Sequence, residues 1–335
     1  MSIMIKQTPL SEQEMVAEAE KALADISRIR QGVGKVIFGQ ESVVERTLVA
    51  LLAGGHALLV GVPGLAKTKL VETLGIVLGL DTSRIQFTPD LMPSDILGSE
   101  VMEQDETGKR SFRFISGPIF AQLLMADEIN RASPRTQSAL LQSMQEYHVT
   151  VAGARHDLPS PFHVLATQNP LEQEGTYPLP EAQLDRFLMQ IDILYPELDA
   201  ERRILVETTG VEDAKAENVL GPVRLKEIQT LIRRMPVPES VVEAILKLVR
   251  SARPGQGNAE TDRHVAWGPG PRASQALTLC ARARALYDGR LAPSIDDIHA
   301  LAEPVLQHRM ALTFAARAEG MTVRDVVAGL VKAQG

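Results

Sequence analysis

Met15, Ala19, Ala22, Leu23, Ile26 and Ile29 recur every three or four positions, and Val43, Val44, Thr47, Leu48 and Leu51 do so again after Gly39. This spacing predicts two amphipathic helices, joined by the short apolar turn Val36-Ile37-Phe38-Gly39-Gln40. The period then changes. His56-Ala57-Leu58-Leu59-Val60 is a continuous apolar run of strand length, as a parallel strand covered on both faces requires. A helix is predicted from about Lys67 to Leu78. Further strands are predicted at Arg84 to Phe87, Leu123 to Ala126 and His163 to Thr167, with helical stretches between them. Alternation of this kind predicts an α/β fold with a parallel sheet flanked by helices.

Two hairpin-like insertions interrupt the pattern. Ser99 to Gln104 and Arg110 to Phe114 flank the polar turn Asp105-Glu106-Thr107-Gly108-Lys109, and His148 to Ala152 and Arg155 to Leu158 flank Gly153-Ala154. Ser133 followed by Pro134 marks a helix start. Beyond Tyr195-Pro196 strand character fades, and the remainder reads as a small all-helical domain. Pro254 to Pro271 is expected as a long loop before a helix from about Arg272 to Tyr287. The boundary falls between Pro196 and Pro222, giving residues 1–205 as the α/β domain with its two hairpin inserts and 206–335 as a helical lid. Length agrees, because 335 residues exceed what a single core usually serves.

Composition narrows the class. With 44% hydrophobic and 23% charged residues the chain is neither disordered nor fibrous. A net charge of −7 disfavours a protein whose main task is to coat nucleic acid or anionic lipid. The single cysteine, Cys280, allows no intrachain disulfide and suits a reducing compartment. The start of the chain, Met4 and Ile5 followed by Glu12, Glu14 and Glu18, lacks the basic-then-apolar order of a signal peptide, so a cytoplasmic location is expected. Thr47 to Ala66 is uncharged over a membrane-spanning length, but Gly54, Gly55, Gly61, Pro63 and Gly64 interrupt it, and no transmembrane segment is expected. His56 and His163 adjoin strands and are expected to be structural rather than metal ligands.

The chemistry is concentrated in a few short runs. Gly61-Val62-Pro63-Gly64-Leu65-Ala66-Lys67-Thr68 matches the phosphate loop G-x-x-x-x-G-K-[ST] except that Ala66 replaces the second glycine. Gly61 and Gly64 let backbone N–H groups turn toward phosphate oxygens. Lys67 supplies charge to the β- and γ-phosphates of ATP, and Thr68 a hydroxyl to Mg²⁺. Ala66 is expected at the helix start with a negative φ, where glycine is not needed. The strand Leu123 to Ala126 ends in Asp127-Glu128, which predicts Asp127 as a Mg²⁺ ligand and Glu128 as the group that polarises the attacking water. The strand ending at Thr167 leads into Gln168-Asn169-Pro170, which places Asn169 near the γ-phosphate.

With these residues in order on successive strands, the chain resembles the MoxR family of AAA+ ATPases. The resemblance rests on Gly61 to Thr68, Asp127-Glu128-Ile129-Asn130-Arg131-Ala132, Ala166 to Pro170, Leu179 to Phe187 and Gly270-Pro271-Arg272-Ala273, and it spans about Phe38 to Arg309. Ala66 is usual in that family. The resemblance implies that Arg186 is an arginine finger reaching the γ-phosphate held by a neighbouring subunit. It likewise implies that Arg272 is the sensor-2 arginine through which the lid touches the same nucleotide, that Asn169 is sensor 1, and that Val36, Ile37 and Gly39 pack against adenine. The hairpins correspond to the helix-2 and pre-sensor-1 inserts. Arg131, Arg135, His308 and Arg309 fall in family-like stretches without an assigned role.

The function so implied is a Mg²⁺-dependent ATPase, a homo-oligomeric ring expected to be a hexamer, that remodels or matures a client protein with a von Willebrand factor A domain partner. Two other readings stay open on the residues alone. One is a nucleic-acid motor, for which Lys109, Arg110, Arg155 and His156 are the basic residues at the hairpin tips. The other is a nucleotide-gated adaptor with slow hydrolysis.

Overall fold

The computed structural model describes residues 12–104, 110–172, 175–209 and 214–334; the first eleven residues and the Asp105–Lys109 turn lie outside these. Two helices open the chain, α1 (Glu12–Gly34) and α2 (Glu41–Leu52), with their apolar stripes buried. Strand β1 (Ala57–Val60) follows, then α3 (Lys67–Leu78), which ends on left-handed Gly79. Edge strand β2 (Thr82–Gln86) leads through α4 (Pro93–Leu97) into the first hairpin, β3 (Gly98–Gln104) and β4 (Arg110–Ser116). Strand β5 (Leu123–Asp127) is buried throughout, and a short 3-10 turn carries the chain into α5 (Pro134–Glu146). Ser133 caps α5 by accepting the Thr136 N–H, with Pro134 in the first turn, as its sequence signature requires. The second hairpin is β6 (His148–Val151) and β7 (Ala154–Asp157); then come β8 (His163–Gln168), α6 (Glu181–Leu184), β9 (Met189–Asp192) and α7 (Leu198–Thr208).

These strands form one parallel sheet in the order β2-β5-β8-β1-β9, so each step from β1 onward crosses over through a helix. Its fifth strand, Met189–Asp192, is one that sequence reasoning does not supply. Only Met189 and Ile191 of it are buried, so its apolar signal is half that of β1. The uncharged Thr47 to Ala66 stretch divides into α2, β1 and the loop beyond. Among the described residues no helix is long and apolar enough to cross a membrane.

The remainder is mainly helical: α8 (Pro222–Arg234), α9 (Glu239–Ser251), α10 (Ala259–His264), α11 (Pro271–Tyr287), α12 (Ile295–Leu306), α13 (Phe314–Ala318) and α14 (Val323–Lys332). Two expectations change here. The stretch from Pro254 to Pro271 is not a plain loop, because Asn258 caps α10 by accepting the Glu260 and Thr261 N–H groups. The region is also not wholly helical: β10 (Val265–Trp267) pairs antiparallel with β11 (Ala311–Leu312). Apolar side chains of α1, α2, α8, α9, α11 and α12 share one continuous core with those beneath the sheet. Asp297, fully buried, pairs with Arg284 and Arg290; burial opposes its ionisation, but Arg290 and the Ser294 N–H and hydroxyl hold its carboxyl below the usual range.

Candidate active site

Parallel strands deliver their chain ends to one edge of the sheet, and here three adjacent strands, β5, β8 and β1, each end in a residue with chemistry. β1 runs into Gly61, whose N–H donates to the Gln168 carbonyl at 3.1 Å and so ties the loop to β8. A Cβ on Gly61 would lie 2.8 Å from the Ile193 carbonyl oxygen, so glycine is required by close approach. Gly64 has φ +85, and a Cβ there would meet nothing within 4 Å, so the turn faces open space.

Ala66 departs from expectation. It has φ 55 and ψ 24, a left-handed conformation immediately before α3, rather than a negative φ. The loop must reverse here before the helix can start. Glycine would do this freely, while alanine does so at a cost of about 1 kcal/mol. Lys67 donates to the carbonyls of Gly61 at 2.5 Å and Val62 at 3.1 Å, folding back over its own loop. Partial burial lowers its pKa, opposed by the charges of Asp127, Glu128 and Glu172. A half-buried ammonium facing carboxylates across a glycine-rich turn fits a triphosphate bridged by a divalent cation.

Asp127 and Glu128 are held by residues that no motif identifies. The buried Thr167 hydroxyl on β8 donates to Asp127 Oδ1 at 2.6 Å and accepts the Glu128 N–H at 2.9 Å, bridging the two strands. Arg84 of β2 reaches Asp127 Oδ2 at 2.6 Å. Glu128 sits in a left-handed backbone conformation, φ 56, and its carboxylate accepts from Gln86 Nε2 at 2.8 Å and Arg131 Nη1 at 3.1 Å. Arg131 thus acquires a contact that the sequence left unassigned; Arg135 is exposed at the start of α5. Asn169 follows β8, buried, with its Oδ1 accepting the Leu171 N–H at 3.1 Å. Lys67, Asp127, Glu128 and Asn169 therefore converge on one edge, and Thr68 stands beside Lys67 in the first turn of α3.

A cleft of about 320 Å³ adjoins the loop, lined by Ile37 and Phe38, by Pro63 to Ala66, and by Tyr195 and Ile204. Its far wall is α7, which sequence reasoning treated only as a boundary. Gly39, φ +68, admits that helix: a Cβ would lie 2.3 Å from Ala200 Cβ. Gln40 braces the loop by donating to the Leu65 carbonyl at 3.1 Å.

Arg186 and Arg272 lie elsewhere. Both line a second cleft, of about 260 Å³, with Gly54, Gly55 and His56 at the amino-terminal end of β1. The four residues of β1, at roughly 3.3 Å each, put about 13 Å between this edge and the phosphate loop. Arg272 and the phosphate loop of its own chain thus stand at opposite ends of β1, whereas the family resemblance implies that the lid touches the nucleotide through it. It stands 3.7 Å from Asp185, next to Arg186.

Comparison with known proteins accords with this arrangement. The model of the ATPase family associated with various cellular activities (AAA) matches residues 56–189, and that of the AAA lid domain matches residues 258–330. The chain belongs to the MoxR family of AAA+ ATPases. It is 43% identical to Chaperone MoxR1 of Mycobacterium tuberculosis over 314 residues, covering 92% of this chain and 82% of that one. It is 31% identical to Protein MoxR of Methylorubrum extorquens, covering 85% and 87%. A solved structure from Cytophaga hutchinsonii superposes with a TM-score of 0.88 at 37% identity, covering 96% of this chain and 97% of that one.

Proposed function

We propose that this chain hydrolyses ATP to ADP and phosphate in a Mg²⁺-dependent, shared active site of a homo-oligomeric ring, a hexamer. In this reading residues 1–205 bind the nucleotide and 206–335 form the lid. The observation that carries it is the convergence of Lys67, Asp127, Glu128 and Asn169 on the carboxyl edge of three neighbouring strands.

Adenine fits the cleft beside Ile37 and Gly39, and the triphosphate runs along Gly61, Val62, Pro63, Gly64, Leu65 and Ala66 to Lys67. Thr68 and Asp127 would hold Mg²⁺, which when bound offsets negative charge on the β- and γ-phosphates. Glu128 accepts the proton of the attacking water as its oxygen bonds to the γ-phosphorus and the bridging bond to ADP breaks. Gln86 and Arg131 both donate to Oε2 of Glu128, which leaves Oε1 to take that proton. Asn169 orients the water or the γ-phosphate. Arg186 and Arg272, together on the opposite edge, are presented to the nucleotide of a neighbouring subunit, where their charge stabilises the transition state. The protruding hairpins, with Met102 and Phe112 exposed on β3 and β4, engage the client. Client remodelling finds support in a relative that bears the name chaperone, and the von Willebrand factor A domain partner in the family resemblance.

Glu128→Gln tests the chemistry. It is expected to bind ATP as tightly as the parent while turning over about 10²- to 10⁴-fold more slowly. Near-normal turnover, measured as phosphate release, contradicts the assignment.

A further inference from the structure

The largest fully buried side chain among the described residues is a cation, Arg309, in the short turn after α12. A guanidinium has five N–H groups, and each finds an acceptor. Nε donates to Asp185 Oδ1 at 2.8 Å. Nη1 donates to the Val305 carbonyl at 2.5 Å and the Leu188 carbonyl at 3.2 Å. Nη2 donates to the Phe187 carbonyl at 2.6 Å and the Asp185 carbonyl at 3.2 Å. Four of the five acceptors belong to residues 185–188, the segment that brackets Arg186.

The preceding residues of the turn point the same way. His308 Nε2 donates to the Phe187 carbonyl at 3.0 Å, and Gln307 Nε2 to the Gln190 carbonyl at 3.0 Å. From the other side the Leu188 N–H donates to the His56 carbonyl at 2.8 Å, and Leu188 packs so close to Gly55 that a Cβ there would come within 2.6 Å of it. The Arg186 side chain, by contrast, makes no hydrogen bond or ion pair with the described residues and lines the open cleft beside Arg272. Asp185 joins the two arrangements, since its second oxygen lies 3.7 Å from Arg272 Nη1.

Stability alone does not call for this device. A buried ion pair is commonly no more stabilising than apolar residues of the same volume. Its particular effect is geometric: a planar fork fixes three carbonyls and a carboxylate of residues 185–188 in one register with the Val305 carbonyl of α12, which a lysine's single nitrogen cannot do.

We propose that Arg309 is a positioning residue for the shared active site, holding the 185–188 segment to the helical region so that Arg186 and, through Asp185, Arg272 reach a neighbouring subunit's nucleotide as one rigid unit. This rests on the reading that both arginines serve that nucleotide. It follows that displacement of the helical region carries Arg186 with it.

The test is a mutant cycle in the full-length chain, read as kcat and KM for ATP, with single-turnover measurements for slow variants. Arg309→Lys is expected to lower kcat about 10²-fold, the scale of a misplaced catalytic group, with ATP-analogue affinity changed less than about twofold. In the Arg186→Ala, Arg272→Ala background it is expected to slow hydrolysis no further, because Arg309 acts only through those two. A wild-type kcat for Arg309→Lys overturns the proposal, as does an equal further loss in that background. If Arg309→Lys does not fold, Asp185→Asn, at a partly exposed carboxylate, goes through the same cycle with the same two expectations. Arg186→Ala at the wild-type kcat would instead overturn the shared-site reading, and the proposal with it.

Discussion

Arg84 Nη2 stands 2.6 Å from Asp127 Oδ2, the carboxylate assigned to the metal, while the other oxygen of Asp127 accepts the Thr167 hydroxyl. The proposed Mg²⁺ site and this ion pair therefore compete for one group. Arg84 is half exposed, so the pair is expected to contribute no more than about 1 kcal/mol. Arg84→Ala should tighten Mg²⁺ binding to the ATP-loaded protein by up to about fivefold, as measured by the Mg²⁺ dependence of turnover. Weaker Mg²⁺ binding would show that Arg84 supports the site instead.

Gly39 decides how closely α7 covers the cleft proposed for adenine. Gly39→Ala places a Cβ 2.3 Å from Ala200 Cβ at a φ of +68 that alanine disfavours. The helix must shift outward, and ATP affinity is expected to fall about tenfold, a loss of about 1.4 kcal/mol. Fluorescent-nucleotide titration reads this directly. Unchanged affinity would remove α7 from the binding site.

Two histidines make the fold acid-sensitive. His56 accepts the Val164 N–H on Nδ1 and donates to the Met144 carbonyl from Nε2. His163 donates to the Gly55 carbonyl from Nδ1 and accepts from Gln229 on Nε2. Neither ring has room for a second proton. Burial, aided by His163, pushes His56 down to about 3, and burial pushes His163 down to about 4. The unfolded chain takes up these protons near pH 6.5, so between about pH 6.5 and 4 it binds more protons than the native state. Stability is then lost as the pH falls, by up to about 1.4 kcal/mol per pH unit for each histidine. Thermal unfolding should show a lower midpoint at pH 5 than at pH 7.5. An equal or higher midpoint contradicts this account.

What was legible in the sequence follows from how locally each feature is encoded. The phosphate loop and Asp127-Glu128 are contiguous runs attached to strongly apolar strands, and α3 begins and ends where the pattern puts it. Ala66 was misjudged because composition carries no sign of φ. The requirement for a left-handed residue comes from how the loop meets α3, and alanine tolerates it. Strand β9 was missed because Gln190 and Asp192 are only half-buried at the sheet's edge, which leaves an alternating pattern of just four residues.

The supporting residues were illegible for another reason. Arg84 and Gln86 lie on β2, whose pattern is mostly polar and exposed, so they resemble solvent-facing residues until register sets Gln86 beside Asp127. Thr167 reads as one more β-branched strand residue, although its hydroxyl fixes both carboxylate-bearing residues. Arg309 and Asp185 are 124 positions apart. Only the fold brings the segment around Arg186 and the helical region together, and it also moves Arg272 to the edge of the sheet opposite the phosphate loop.

The central claim is that one subunit's Lys67 and another's Arg186 complete a single hydrolytic site. Mixing two inactive proteins, Lys67→Ala and Arg186→Ala, tests this most directly, with mixed oligomers verified by size and mass. The account predicts that phosphate release returns on mixing and peaks near equal proportions, where sites pairing an intact phosphate loop with an intact finger are most numerous. Mixed oligomers inactive at every ratio would contradict it.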